Sequence, residues 1–409
     1  MISSYTVSII LLSIWLVAYL ILRKRCSSAK IYFGVLGLMA SAGVILDLNK
    51  YVYYVTQEYD AFNIFLFAIL LLLVIIPWLK YDKLIKYYEY TINPEYKSAF
   101  TKILTIFVLL STFTIIYCLP YALAASSMGA DVIRNETEGG LLPTNMLTTV
   151  ASAVASLAPI GLTFFFASYT SKSFKKHSYW FLLAPLAGIV HSMACAAREL
   201  YIFLPITFII LFLFFKNSIP QNDLKRIKYA AGILGVGMMS IFMTFTISRF
   251  GEAGSDSFIG GTWGYLYQQP YVFDQTLQYF DNFKGFSKSL SFIGDFLGMS
   301  TTKKDAVLSI EWSFGTMYKA FYEMFGYTSL LLGSIIYLWF FNTMAKRSIR
   351  KNHPFAIVIN FTLFIWFTVS GLFYFRYGAN SSYFLMYLFI MILSFVTPKN
   401  FFIRKNIKC

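Results

Sequence analysis

Long apolar runs recur along this chain, each closed by a short polar segment, and their lengths set the first expectation. Runs near residues 3–22, 31–48, 61–79, 103–125, 147–170, 180–197, 200–215, 229–248, 325–345, 355–375 and 382–397 predict eleven helices. A helix needs roughly 20 apolar residues, or slightly fewer, to cross a bilayer core. The predicted fold class is therefore all-α: a polytopic integral membrane bundle of about eleven transmembrane helices, forming a single domain over 1–409.

The polar connections alternate in charge. Those after the odd-numbered runs hold 24 of the 34 basic residues, among them Arg23, Lys24 and Arg25, Lys83 and Lys97, Lys172 and Lys175, Lys225 and Arg226, and Lys346 and Arg347. Only Asp82, Glu89, Glu95 and Asp223 oppose them there, so one face carries a net +20 and the rest of the chain −5. Cytoplasmic loops concentrate Lys and Arg, which predicts the amino terminus outside and the carboxyl terminus inside. No basic residue precedes the first run and Arg23–Arg25 follow it, the pattern of a retained, reverse-oriented anchor, with the mature chain expected to start at Met1.

Composition agrees with a lipid setting: 58% hydrophobic, 20% aromatic and 13% charged residues, against about a quarter charged in soluble domains. The net charge of +15 would suit nucleic acid, but its segregation to one side assigns it to the membrane surface, and no nucleic-acid partner is expected. Cys26, Cys118, Cys195 and Cys409 have no metal-ligand spacing, so neither a zinc site nor a disulfide is predicted.

Residues Tyr81 to Lys102 carry Tyr, Leu and Lys in a pattern that predicts a helix lying on the membrane surface. Outside, Arg249 to Met324 forms a connection of about 75 residues, far longer than a turn between packed elements. Its aromatic residues, among them Trp263, Tyr267 and Tyr271, alternate with amides and carboxylates such as Gln268, Asp274 and Gln278. Aromatic faces beside such groups suit stacking on sugar rings, and equally suit an interfacial belt. The small residues Thr148 to Ala158 and the glycines 232, 235 and 237 point to close helix packing.

Three arginines break the charge rule. Arg198, Arg249 and Arg376 fall at the outer ends of their runs, at about one depth, where a guanidinium fork could grip diphosphate oxygens or snorkel to headgroups. Arg134 is a fourth candidate. Outer acids able to serve as a general base include Glu199, Glu252, Asp256, Asp274, Glu311 and Glu323. His177 and His353 fall on the cytoplasmic side, and His191 lies within a run below Arg198. No phosphate-binding glycine loop and no nucleophile elbow is present.

Ala196-Ala197-Arg198-Glu199 at an outer turn, Ser248-Arg249-Phe250-Gly251 opening the large loop, and Trp312-Ser313-Phe314-Gly315 with Phe325-Gly326-Tyr327 closing it resemble the Wzy-type oligosaccharide repeat-unit polymerases of bacterial envelopes. The likeness covers the whole layout. It implies a GT-C-like bundle in the bacterial inner membrane and an inverting, metal- and cofactor-independent glycosyl transfer facing the periplasm or exterior. Its substrate would be an undecaprenyl-diphosphate-linked oligosaccharide, as for O-antigen or capsule, with a chain-length regulator as a further partner. By position, Arg198 and Arg249 would hold the diphosphate, with Arg376 added on depth. Glu199, Asp274 and Glu311 would supply the base, and Trp263, Tyr267 and Tyr271 the sugar contacts. Glu199 directly after Arg198 is a departure that would offset its charge. Two other readings stand beside this one: a lipid-linked oligosaccharide flippase or transporter, and an O-antigen ligase, though the ligase histidine expected in the outer loop is missing from 249–324. A noncatalytic assembly subunit is a further alternative.

Overall fold

The computed structural model describes residues 2–25, 27–49, 58–128, 141–143, 145–195, 197, 199–250, 255–280, 315–350, 353–372, 381–398, 400–406, with backbone alone at 85–87, 245–246, 248–250, 255–262, 265, 348–349, 381–384, 387, 394–396 and 406. The fold is helical. Among the described residues seven helices are long and apolar enough to cross a membrane, and the pair Met146–Ala155 with Ala158–Tyr169, bent by 43°, would make an eighth. The remaining expected runs, 180–197, 355–375 and 382–397, contain the shorter helices Leu183–Ala194, Pro354–Ser370 and Ser381–Val396. The first is short because Lys175–Leu182 winds as a 3-10 helix instead. Twelve residues at 1.5 Å rise reach only about 18 Å, well short of a bilayer core.

By contact the chain resolves into two compact units, one of residues 1–82, 250–343 and 367–380, the other of 83–249, 344–366 and 381–409. In the first, β1 (Ile2–Ser3) pairs antiparallel with β2 (Glu58–Tyr59), tying the start of α1 (Ser4–Lys24) to the entry of α3 (Ala61–Leu73). α1 packs along α2 (Ala29–Leu48) through Val7, Leu11, Trp15, Ala18 and Leu22, a stripe at three- and four-residue spacing. Its other side is apolar and open, with Leu16 52% and Val17 56% exposed. Apolar residues all round a helix of this length mark a lipid-facing span.

α3 gives way at Val74 to α4 (Ile75–Tyr87), where Pro77 has no N–H to donate. The Tyr318 hydroxyl donates to the Leu70 carbonyl just before this break, at 2.6 Å. At the opposite end of α2, Asp82 Oδ1 accepts from the Ser28 N–H (3.0 Å) and the Ser28 hydroxyl, which itself accepts from Trp78 Nε1 (2.8 Å). A carboxylate on the first turn satisfies donors that no helical carbonyl reaches.

The second unit includes β3 (Tyr88–Ile92), α5 (Lys97–Met128), α6 (Met146–Ala155), α7 (Ala158–Tyr169), α8 (Leu183–Ala194) and α9 (Glu199–Phe215). Every residue of α7 is buried, so this helix forms the unit's centre. Pro159, in the first turn of α7, cannot donate to the Ala155 carbonyl, which accounts for the bend between α6 and α7. α7 and α8 approach closely: a Cβ on Gly161 would lie 2.6 Å from that of Ala184.

The connection Tyr81 to Lys102 departs from the surface helix expected of it. After α4 the chain extends as β3, which pairs antiparallel with β4 (Phe402–Asn406) from Tyr88 opposite Asn406 to Ile92 opposite Phe402. Tyr88, Tyr90 and Ile92 share one face of an aromatic and β-branched segment, and Tyr90 and Ile92 are buried. The period of two overrides the helical spacing of its lysines. The remaining helices are α10 (Gln221–Phe250), α11 (Ser255–Tyr279), α12 (Met317–Phe325), α13 (Tyr327–Arg350), α14 (Pro354–Ser370) and α15 (Ser381–Val396). Thus the segment expected as an outer loop, 249–324, begins with a 25-residue helix and ends with a 9-residue one.

Candidate functional site

The polar groups of the first unit gather at one end, where α1 begins, α2 ends and α3 begins. Asp60 caps α3, its Oδ1 accepting from the N–H groups of Phe62 (2.7 Å) and Asn63 (3.4 Å). This cap turns the Asn63 amide and the Asp60 N–H onto one carboxylate oxygen, Asp274 Oδ1, at 2.9 and 3.2 Å. One turn further along α11, Gln278 Nε2 donates to Asp274 Oδ2 at 2.7 Å.

Asp274 is fully buried. Burial raises its carboxyl above the ordinary 3.8, because removing the charged form from water costs more than the hydrogen bonds from Asn63, Gln278 and Asp60 return; the nearby Asp60 charge adds to the rise. Asp60 itself is exposed. The pair therefore comprises one enclosed carboxylate whose oxygens are occupied and one open to solvent.

A hydroxyl–carboxylate contact joins α1 to α2 at the same end. Ser8 Oγ lies 2.8 Å from Asp47 Oδ2 and 2.8 Å from the Tyr267 hydroxyl. Tyr267 is only 3% exposed and packs with Ala42 and Leu46, with Trp263 and Leu266 half-buried around it. A Cβ on Gly43 would sit 2.5 Å from the Tyr267 ring. The ring faces are covered by α2, so in this conformation they are closed to a sugar. Tyr271 is half-buried and stands edge-on to Tyr59 with centroids 6.4 Å apart, and burial keeps the Tyr59 and Tyr267 phenols protonated far above their ordinary range.

The expected site residues thus fall in different places. Asp274, Trp263, Tyr267 and Tyr271 share α11 in the first unit, while Glu199 opens α9 in the second, where an acid suits the helix N-terminus. Glu323 lies on α12 beside Lys319, 3.5 Å apart in a buried ion pair. Arg198, Arg376, Glu311 and the side chain of Arg249 lie outside the described residues, as do Arg134, Glu252 and the side chain of Asp256. His191, in the last turn of α8, has its Nε2 2.8 Å from Ser152 Oγ on α6 and 3.9 Å from Cys195 Sγ. Among the described residues Cys118 and Cys195 form no disulfide, and no group of His, Cys, Asp and Glu is arranged to hold a metal ion.

Asp60, Asn63, Asp47 and Ser8 complete the polar cluster. Asp60 carries a sequence signal, an Asp immediately before an apolar run, which reads as a helix cap. Asp47 is a lone acid in an otherwise apolar run. Nothing in the spacing connects either with Asp274, more than 200 positions away along the chain. No protein-family model, curated protein or solved structure matches this chain.

Proposed function

We propose that this protein is a membrane glycosyltransferase that polymerises undecaprenyl-diphosphate-linked oligosaccharide repeat units, as in O-antigen or capsule synthesis, on the outer face of the bacterial inner membrane. The reading takes the bundle as eleven spans of GT-C-like character, with the amino terminus outside and the carboxyl terminus in the cytoplasm. The observation that carries it is the gathering of Asp47, Asp60 and Asp274 with Ser8, Asn63 and Tyr59 at the end of the first unit that the charge pattern assigns to the outside. Outer arginines at residues 198, 249 and 376 supply what a leaving diphosphate needs, cations that stabilise its growing charge.

Within the carboxylate cluster the geometry divides the labour. A general base must reach the proton it removes. Asp60 is exposed and has that access, whereas Asp274 is enclosed and holds the Asp60 backbone and Asn63 in place. An acceptor hydroxyl deprotonated by Asp60 would attack the anomeric carbon as the bond to the diphosphate breaks, and the diphosphate would leave with its lipid.

The deciding experiment is reconstitution of the purified chain in detergent with EDTA and a synthetic undecaprenyl-diphosphate repeat unit, comparing wild type with Arg198→Ala, Arg249→Ala and Asp60→Asn. A ladder in wild type that is lost in both arginine variants, with folding retained, supports a metal-independent polymerase with an arginine diphosphate site. A ladder lost in Asp60→Asn as well places the base. Absence of any ladder from the wild type with its cognate repeat favours transport, and an undiminished ladder in the variants returns these residues to structural roles.

A further inference from the structure

A small cavity of the first unit is walled mostly by apolar residues of α1, α2 and α3, including Leu11, Trp15, Met39 and Phe67. Two polar side chains interrupt this wall. Gln269 on α11 is 1% exposed, and among the described residues neither its Oε1 nor its Nε2 has a hydrogen-bond partner; Thr316 is also 1% exposed and its Oγ1 is likewise unpartnered among them. Thr316 occupies the N-cap position of α12, where a threonine hydroxyl ordinarily accepts a first-turn N–H, yet this one makes no cap bond. Pro270, also in the wall, withholds the helical hydrogen bond that the Leu266 carbonyl would otherwise receive.

Leaving three such atoms unsatisfied among apolar side chains carries a desolvation cost that no contact among the described residues offsets. The cavity leaves about 20 Å³ for the centre of a water molecule, and roughly 10–15 Å³ suffices for one. A buried water also needs two to four polar partners, which Gln269 and Thr316 provide. We infer that the cavity is a binding site for one ordered water, which accepts from Gln269 Nε2 and bridges Gln269 Oε1 and Thr316 Oγ1. It joins α11, the helix carrying Asp274, to the start of α12. The site stands independently of the reaction proposed above.

Two measurements test it on the full chain in detergent. An experimental structure that resolves waters should show one compact density within hydrogen-bond distance of both the Gln269 amide and Thr316 Oγ1. Elongated density from a lipid chain, or an empty cavity, would overturn the assignment. Thermal unfolding of Gln269→Leu, Thr316→Val and the double variant gives an independent answer. With a bridging water each single change lowers the melting temperature, and the double variant falls by less than the sum, because the first change already costs the water a partner. If the cavity is dry, each change removes an orphaned polar group, and both variants melt higher than wild type by additive amounts.

Discussion

Asp274 meets all its donors within the protein, and this determines how it should respond to pH. Its folded pKa is raised by burial, so the native chain holds the proton more tightly than the unfolded chain does. The stability from this group is complete below its unfolded pKa and is lost as pH rises through the folded value. Asp274→Asn keeps an oxygen for Asn63 and Asp60, and Gln278 can rotate its amide to suit, so the variant should fold with a flatter melting-temperature profile as pH rises above the ordinary carboxylate range. An unchanged slope would place the titration elsewhere. Gly43 makes a second case at this scale. A methyl group there meets the Tyr267 ring at 2.5 Å, a stiff obstacle between two packed helices, and Gly43→Ala should cost about 1–3 kcal/mol. Gly37 on the same helix faces open space, so Gly37→Ala is the matched control, and a thermal melt of both variants checks the contrast. Asp274 is legible in the sequence as one candidate acid among several. Its burial is not, because the groups that enclose it come from α3 and from the next turn of α11, and tertiary contact leaves no trace in spacing. The same holds for Tyr267, whose aromatic character reads identically on a sugar platform and against a glycine.

At the scale of elements, apolar length predicted the long helices well and misjudged the places where backbone chemistry intervenes. The seven long spans coincide with expected runs, since a continuous apolar stretch of that length has no other stable state in lipid. The bend at Ser156–Leu157 follows from Pro159, a residue visible in the sequence inside a run, 147–170, long enough to pass for one continuous helix. β3 was missed because its partner lies at the far end of the chain. Phe402 is almost completely buried, stacked on Phe355 with centroids 5.6 Å apart, and 6.1 Å from Phe164. The strand pair thus inserts the carboxyl-terminal segment into the aromatic core of the second unit. Phe402→Ala should lower stability by about 3–5 kcal/mol, as large-to-small changes in aromatic cores do. Arg404→Ala, which removes a cation resting 4.1 Å above the Tyr88 ring, should cost about 0.5–1 kcal/mol through that contact. Denaturation of the two variants side by side separates core insertion from surface pairing; equal small effects would mean that β4 adds little to the unit.

For the whole molecule, lipid exposure and charge are independent witnesses, and they agree on a membrane setting. α10 leaves Tyr229, Ile233 and Val236 each about 70% exposed or more, and α13 does the same with Ile335, Ile336 and Trp339 at 60% or above. Apolar surface of that extent is sustained in lipid and not in water. Which end faces out rests on charge alone. Arg23, Lys24 and Arg25 close α1 at the end opposite Ser3, and Lys172 and Lys176 follow α7, so the pattern commits Glu58 and Lys176 to opposite sides. Both residues are exposed, which makes the commitment measurable with single cysteines in a cysteine-free chain. A membrane-impermeant maleimide should label Glu58→Cys in intact cells and reach Lys176→Cys only after the membrane is opened. The reverse result would invert the whole assignment and move the Asp60–Asp274 cluster to the cytoplasmic side, against the outer-face reading. Labelling thus tests the orientation on which the outer-face chemistry depends, and it does so without requiring any substrate.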